Sequence, residues 1–256
     1  MTETKPFYWH YFLFSLLFFV LTGCPSSESS GPQGAGESGQ TDVKAVNAKQ
    51  LKLDNTEITD ADLKEICEKN PDLVELTLGG TKIQNLDESL AQLTKLKKIR
   101  VSNAEISTKA LEVLAKIESL EDIDLSQTPI GVGNDLALLA GLPNLKRLNL
   151  YSTSISNRSL DALKEFKSAE KIVWLNIDKC LLTDGAISKL TPLKNLEWLH
   201  LGRTGLTDPG LEELAKLASL KEVSITNTNV TKEGVEKLKA ALPGCKINEN
   251  VDAPGE

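Results

Sequence analysis

From Leu196 to Leu220 the sequence LEWLHLGRTGLTDPGLEELAKLASL sets its large apolar residues at two spacings. Leu199 and Leu201 alternate with polar or amphipathic neighbours, as in a short strand with one face covered. Leu206, Leu211, Leu214 and Leu217 follow in a stretch that reads as a helix with one apolar side. With Leu196, these seven leucines contribute roughly 10 to 20 kcal/mol at about 1.5 to 3 kcal/mol each. Ordering about two dozen backbone residues costs about 1 to 2 kcal/mol apiece. One such unit cannot fold alone, so neighbours of the same kind must cover it.

Those neighbours are present. With Thr204 as a marker, equivalent positions fall at Thr56, Thr81, Ala104, Thr128, Thr153, Cys180, Thr204 and Thr228, spaced 25, 23, 24, 25, 27, 24 and 24 residues apart. Before each marker stands an alternating apolar pair, such as Leu51/Leu53, Ile99/Val101, Leu175/Ile177 or Val223/Ile225. Equivalent strands in successive copies point the same way, so they build one parallel sheet with alternate residues inward and outward. After the marker comes an apolar residue, then Ser, Thr or Asp, as in Ile58-Thr59-Asp60, Ile106-Ser107, Ile155-Ser156, Leu182-Thr183-Asp184, Leu206-Thr207-Asp208 and Val230-Thr231. These polar residues are expected to cap the helix that follows. A Ca²⁺ site on the Thr-Asp pairs is the sharper alternative, and their recurrence at helix starts argues against it. Copies two (Gln84 to Leu93) and four (Gly131 to Asn134) lack a clean cap and are expected to be irregular. Lys167 to Lys171 is a small insertion before copy six.

The spacing L-x-x-L-x-L followed by T-x-[IL]-T-D-x-G-L resembles the leucine-rich repeats of the ribonuclease-inhibitor-like and cysteine-containing types, in a Thr variant found in bacterial envelope proteins. The resemblance covers residues 43–250, as about eight repeats plus a C-terminal cap around Leu242 to Ile247, with 251–256 a polar tail. It implies an α/β solenoid with a curved parallel sheet on the concave face and helices on the convex face. It further implies macromolecular binding on the concave side, with no catalytic residues and no cofactor.

Residues 1–23 have the layout of a signal peptide, with Lys5 near the start and an apolar run from Phe12 to Leu21 too short for a membrane span. Leu21-Thr22-Gly23-Cys24 resembles the lipobox of bacterial lipoproteins, which implies cleavage before Cys24 and a diacylglycerol on its sulfur. Residues 24–42 then form a Ser/Gly/Pro tether without leucine, isoleucine, valine or aromatic residues, expected to be disordered. Its 18 residues after Cys24 have an average reach of roughly 25 Å. The resemblance implies a place in a bacterial cell envelope, with the chain held to a membrane by lipid.

The net charge of -7 has mixed signs throughout and carries no nucleic-acid footprint. Cys67, Cys180 and Cys245 fall in separate copies, too far apart to bridge or to hold zinc, so they are expected as free thiols without a metal. On the outward face Asp178, His200 and Ser224 occupy three adjacent strands and raise the possibility of a hydrolytic triad. A parallel sheet, however, has no free N–H groups for an oxyanion hole. A Cys180–His200 dyad fails because the two side chains point to opposite faces.

Most outward positions look like a solvated surface. Copies five to seven differ. Past the leader, the two tryptophans, the tyrosine and the histidine all fall there, in Arg147, Asn149 and Tyr151; Trp174, Asn176 and Asp178; Trp198 and His200. Trp174 and Trp198 hold equivalent positions on strands about 4.8 Å apart, so their rings are expected to stack. Such a cluster reads as a binding site for a protein partner, with a cell-surface or cell-wall glycan as the alternative and a structural envelope protein without a specific ligand as the third reading. If Cys24 carries the anchor, Cys24→Ser abolishes metabolic labelling with a fatty acid and releases the protein from membranes. A variant that still labels and sediments with membrane contradicts the assignment.

Overall fold

The computed structural model describes residues 49–250; the expected signal peptide, Cys24, tether and tail lie outside them. Each alternating triplet forms one strand: β1 (Gln50–Lys52), β2 (Glu75–Thr77), β3 (Lys98–Arg100), β4 (Asp122–Asp124), β5 (Arg147–Asn149), β6 (Trp174–Asn176), β7 (Trp198–His200), β8 (Glu222–Ser224) and β9 (Lys246–Asn248). All pair in parallel, in chain order. The central residue of each triplet points inward, so Ile99, Ile123, Leu148, Leu175, Leu199 and Val223 make one continuous buried row. The closing strand β9 pairs with β8 through Val223 and Ile247.

One turn recurs at the end of each strand from β1 to β8. The ladder continues for two more hydrogen bonds, as in Leu201 N–H to the Ser224 carbonyl and Arg203 N–H to the Thr226 carbonyl, both 2.8 Å. The chain then turns through a residue of positive φ: Asn55, Gly80, Asn103, Gln127, Ser152, Lys179, Arg203 and Asn227. The marker follows at once. Its hydroxyl donates to the carbonyl three residues back, at 2.7 Å for Thr56 to Leu53 and for Thr81 to Leu78, and at 2.6 Å for Thr128 to Leu125 and for Thr204 to Leu201. A small side chain with a donor satisfies that carbonyl in six of the eight turns. Two markers depart from this: Ala104 has no hydroxyl, and the Cys180 thiol reaches not its own turn but the Leu150 carbonyl of the preceding repeat at 3.1 Å, which Thr153 also bonds. Cys67 and Cys180 are buried, Cys245 is half-buried, and all three are free thiols.

The opposite side departs from the expected run of α-helices. α1 (Asp60–Lys69), α2 (Thr108–Leu114), α3 (Asp208–Leu214) and α4 (Lys232–Ala241) are α-helical, but Glu88–Gln92, Asp135–Gly141, Ser159–Glu165, Ala169–Lys171 and Asp184–Leu190 are 3₁₀. Irregularity is therefore not confined to copies two and four. The apolar residues of these segments recur every third position, as in Leu136/Leu139/Leu142, Leu160/Leu163/Phe166 and Ile187/Leu190/Leu193, all buried. Three residues per turn lines such a row up on one side. The same spacing also occurs in α2 and α3, so it permits the 3₁₀ form without dictating it.

The expected caps are also reassigned. Ser107 and Thr231 do accept from N–H groups of their own helices, those of Lys109 and Gly234. Thr183 and Thr207 make no such bond. Instead the acids reach across to the next repeat. Asp184 accepts from the Thr207 N–H at 2.7 Å and from its hydroxyl. Asp208 accepts from the Thr231 N–H at 2.8 Å and hydroxyl at 2.6 Å, and Asp60 from the N–H groups of Asn85 and Leu86. These carboxylates are spent on the stack, and among the described residues no cluster of three metal-ligating side chains occurs.

Two substitutions separate packing from turn closure. Leu201→Ala should cost about 2 to 5 kcal/mol of unfolding free energy. Thr204→Val, which keeps the volume but leaves the Leu201 carbonyl unpaired, should cost about 1 to 3 kcal/mol in urea unfolding. A neutral Thr204→Val would show that the hydroxyl does not hold the turn.

Candidate functional site

The in-register sheet lines up outward residues of equivalent position into rows. The row formed by the first residue of each strand alternates in charge. Lys98 pairs with Glu75 at 3.2 Å, Arg147 with Asp122 at 3.4 Å and Lys246 with Glu222 at 3.2 Å. Burial pushes the Asp122 carboxyl up, with Arg147 and Lys98 opposing the shift. Hydrogen bonds from Asn248 and Lys246 hold Glu222 below the usual carboxylate range. Trp174 and Trp198, opposite each other on β6 and β7, break this alternation in its middle. One residue earlier in the chain runs a second ladder, with Glu121 between Lys146 and Lys97 at 2.7 and 2.9 Å and Glu197 on Lys221 at 2.8 Å.

The two indoles are half-buried and do not stack on each other. Trp174 takes the Arg147 guanidinium over its ring, 4.4 Å from the centroid. From β7, His200 meets Trp174 diagonally, with centroids 5.5 Å apart and planes tilted by 50°. The Lys221 ammonium lies over the Trp198 ring at 5.5 Å. A cation over the negative face of an indole contributes about 0.5 to 1 kcal/mol or more, whereas a face-to-face ring pair is the less favoured aromatic geometry. Cations on the flanking repeats therefore take the place of the expected ring stack.

The polar candidates reach the same face, but their acceptors are already engaged. Asn149 Oδ1 accepts from the Tyr151 N–H at 3.1 Å, and Asn176 Oδ1 from the Asp178 N–H at 3.0 Å. Asp178 Oδ1 accepts from the Gly202 N–H, as Asp54 does from Gly79 at 2.7 Å. Glycine is required there, since a Cβ at position 202 would lie 2.8 Å from Thr226 Oγ1 and 2.9 Å from Asp178 Oδ1. Asp178 is thus partly a sheet-end fastener rather than a free contact.

Neither catalytic arrangement assembles. His200 and Ser224 are register partners, yet the imidazole lies against Trp174 and Ser224 is buried. No hydrogen bond joins His200 to Asp178 or Ser224 among the described residues. The N–H groups of Leu201, Gly202 and Arg203 are all bonded, to Ser224, Asp178 and Thr226. Cys180 is buried behind the sheet, and burial pushes its thiol up.

One contributor, Lys221, escapes an outward-residue count, and two exposed cations, Lys179 and Arg203, stand at the strand ends of the same repeats. Lys221 precedes its strand by one position, outside the alternating triplet. Lys179 and Arg203 occupy the positive-φ turn, where the other repeats have Asn, Gly, Gln or Ser. That departure is visible in the sequence once the turn is recognised.

The chain matches a leucine-rich-repeat family model over residues 193–215 and 216–239, which span β7 with α3 and β8 with most of α4. No curated protein matches the sequence. Among solved structures, internalin C2 from Listeria monocytogenes superposes with a TM-score of 0.60 at 23% identity, covering 78% of this chain and 80% of its own. A leucine-rich-repeat protein of Leptospira interrogans gives 0.48 at 16% identity over 78% and 60% of the two chains. The described domain has the leucine-rich-repeat solenoid fold, with an open curved sheet of parallel strands backed by helices.

If the indoles serve the surface rather than the fold, their removal is mild. Trp198→Ala should cost about 1 kcal/mol or less in urea unfolding, the loss of one cation contact, and Trp174→Ala about 1 to 2 kcal/mol, since the His200 contact is lost with that of Arg147. Gly202→Ala, which drives a methyl group into Asp178 and Thr226, should cost about 1 to 3 kcal/mol. A larger loss in the tryptophan variants than in Gly202→Ala would make the indoles structural cover.

Proposed function

We propose that this leucine-rich-repeat chain is a non-enzymatic recognition module of a bacterial envelope, lipid-anchored at Cys24, whose concave face binds a protein partner through repeats five to seven. The anchor rests on the lipobox-like Leu21 to Cys24 and the apolar-poor tether that follows. The observation that carries the binding reading is the break in the ionic row. A solvated sheet face is served by Glu75/Lys98, Asp122/Arg147 and Glu222/Lys246 pairs, and only the Trp174/Trp198 step replaces a pair by two large amphipathic rings. Such rings are the usual anchors of protein interfaces.

A glycan receptor would also use tryptophan, but a sugar needs a free ring face to stack on. Arg147 and Lys221 each lie over one of the two indoles, which reduces the ring face free for a sugar. That favours a protein partner. The test is recovery of a crosslinked partner from envelope extracts by the full chain and by its Trp174→Ala and Trp198→Ala variants. Each variant should lose about 2 kcal/mol, roughly thirtyfold in affinity, while remaining folded. Equal recovery by well-folded variants would move the site elsewhere, and competition by small cell-wall glycans would favour the sugar reading.

A further inference from the structure

We infer that the partner segment is acidic: a peptide whose apolar side chain lies on the Trp174/Trp198 step and whose carboxylates meet Asn149, Asn176, Lys179 and Arg203. This rests on the reading of the concave face as a protein-binding surface and specifies its ligand. The first argument is a hydrogen-bond imbalance. Asn149 and Asn176 spend their oxygens on the N–H groups of Tyr151 and Asp178, so each offers its NH₂ group. Among the described residues those NH₂ groups have no protein partner, nor do the Tyr151 hydroxyl and the two indole N–H groups. Asp178 gives one of its two oxygens to Gly202. The face therefore presents mostly donors, which require an acceptor-rich ligand.

The second argument is independent and concerns charge. Along the sheet from β3 to β9 the cations on or beside the strands are matched by acids, as with Lys97, Lys98, Arg100, Lys146, Arg147 and Lys221. Lys179 and Arg203 are the exception, exposed and without an acidic partner among the described residues. They occupy the same turn position in the two repeats that carry the tryptophans, at φ of 56° and 53°. Long side chains gain nothing there from the backbone, which favours Gly and Asn in the left-handed region. Two neighbouring unmatched cations at the strand ends, donors across the middle and indoles at the strand starts complement a segment with an apolar residue at one end and carboxylates at the other.

The experiment is selection of random twelve-residue peptides displayed on phage against the full chain in detergent. Enriched peptides should combine Asp or Glu with a large apolar residue and should bind more weakly as salt rises. Lys179→Glu with Arg203→Glu, both exposed and remote from the core, should weaken synthetic copies of those peptides at least about tenfold. Replacing their Asp and Glu by Asn and Gln should do the same. Enrichment of neutral or basic peptides that still need Trp198 would overturn the acidic assignment and leave the binding face intact. Peptides indifferent to Trp174 and Trp198, or no enrichment at all, would overturn both. Displacement by an oligouronate of the same charge with no enrichment of peptides would make the ligand an anionic glycan and contradict the proposal.

Discussion

Every repeat ends its strand with the same closed turn, and the rest of the domain depends on it. One residue enters the left-handed region, the ladder makes its last hydrogen bond to the next repeat, and, where the marker is Thr, its hydroxyl returns to the carbonyl three residues back. This fixes where the chain leaves the sheet and hence where the next apolar row begins. Because no single repeat buries enough surface to stand alone, register between neighbours is the quantity that must be conserved along the stack. The Asp184 to Thr207 and Asp208 to Thr231 bonds secure the same register on the far side of the core.

Register also makes the surface. Residues 24 or so positions apart become neighbours about 4.8 Å apart, so charge along the sheet is written by comparing repeats rather than by reading along one strand. Glu75, Lys98, Asp122 and Arg147 alternate in sign only in that comparison. The same arithmetic brings Trp174 beside Trp198 and puts Arg147 and His200 in reach of one ring. Asp178 is drawn into the sheet end by the space that Gly202 leaves.

Backbone and core were legible because their cause is local and repeated: Leu199 and Leu201 alternate, Thr204 follows at a fixed distance, and copies agree. The convex segments were less so, since a three-residue apolar spacing such as Leu160/Leu163/Phe166 suits both a short α-helix and a 3₁₀ turn. Thr183 and Thr207 have the right chemistry for helix caps, but the nearby acids serve Thr207 and Thr231 across the repeat boundary. For the candidate site, which strand residues face outward followed from alternation, while Lys221 and the ring geometry did not. Trp174 and Trp198 stand side by side as alternation predicts, yet Arg147 and Lys221 on the flanking repeats take their faces, a pairing that alternation along one strand does not reveal.

The central claim is that the concave face at repeats five to seven meets another macromolecule. Its most direct measurement is site-specific photocrosslinking in intact cells, with a photoreactive amino acid replacing Asn176 on the sheet or Glu212 on α3 of the opposite side. The account predicts a discrete protein adduct from position 176, lost when Trp198→Ala is added, and none from position 212. Adducts from position 212 alone would place the working surface on the helices and contradict it.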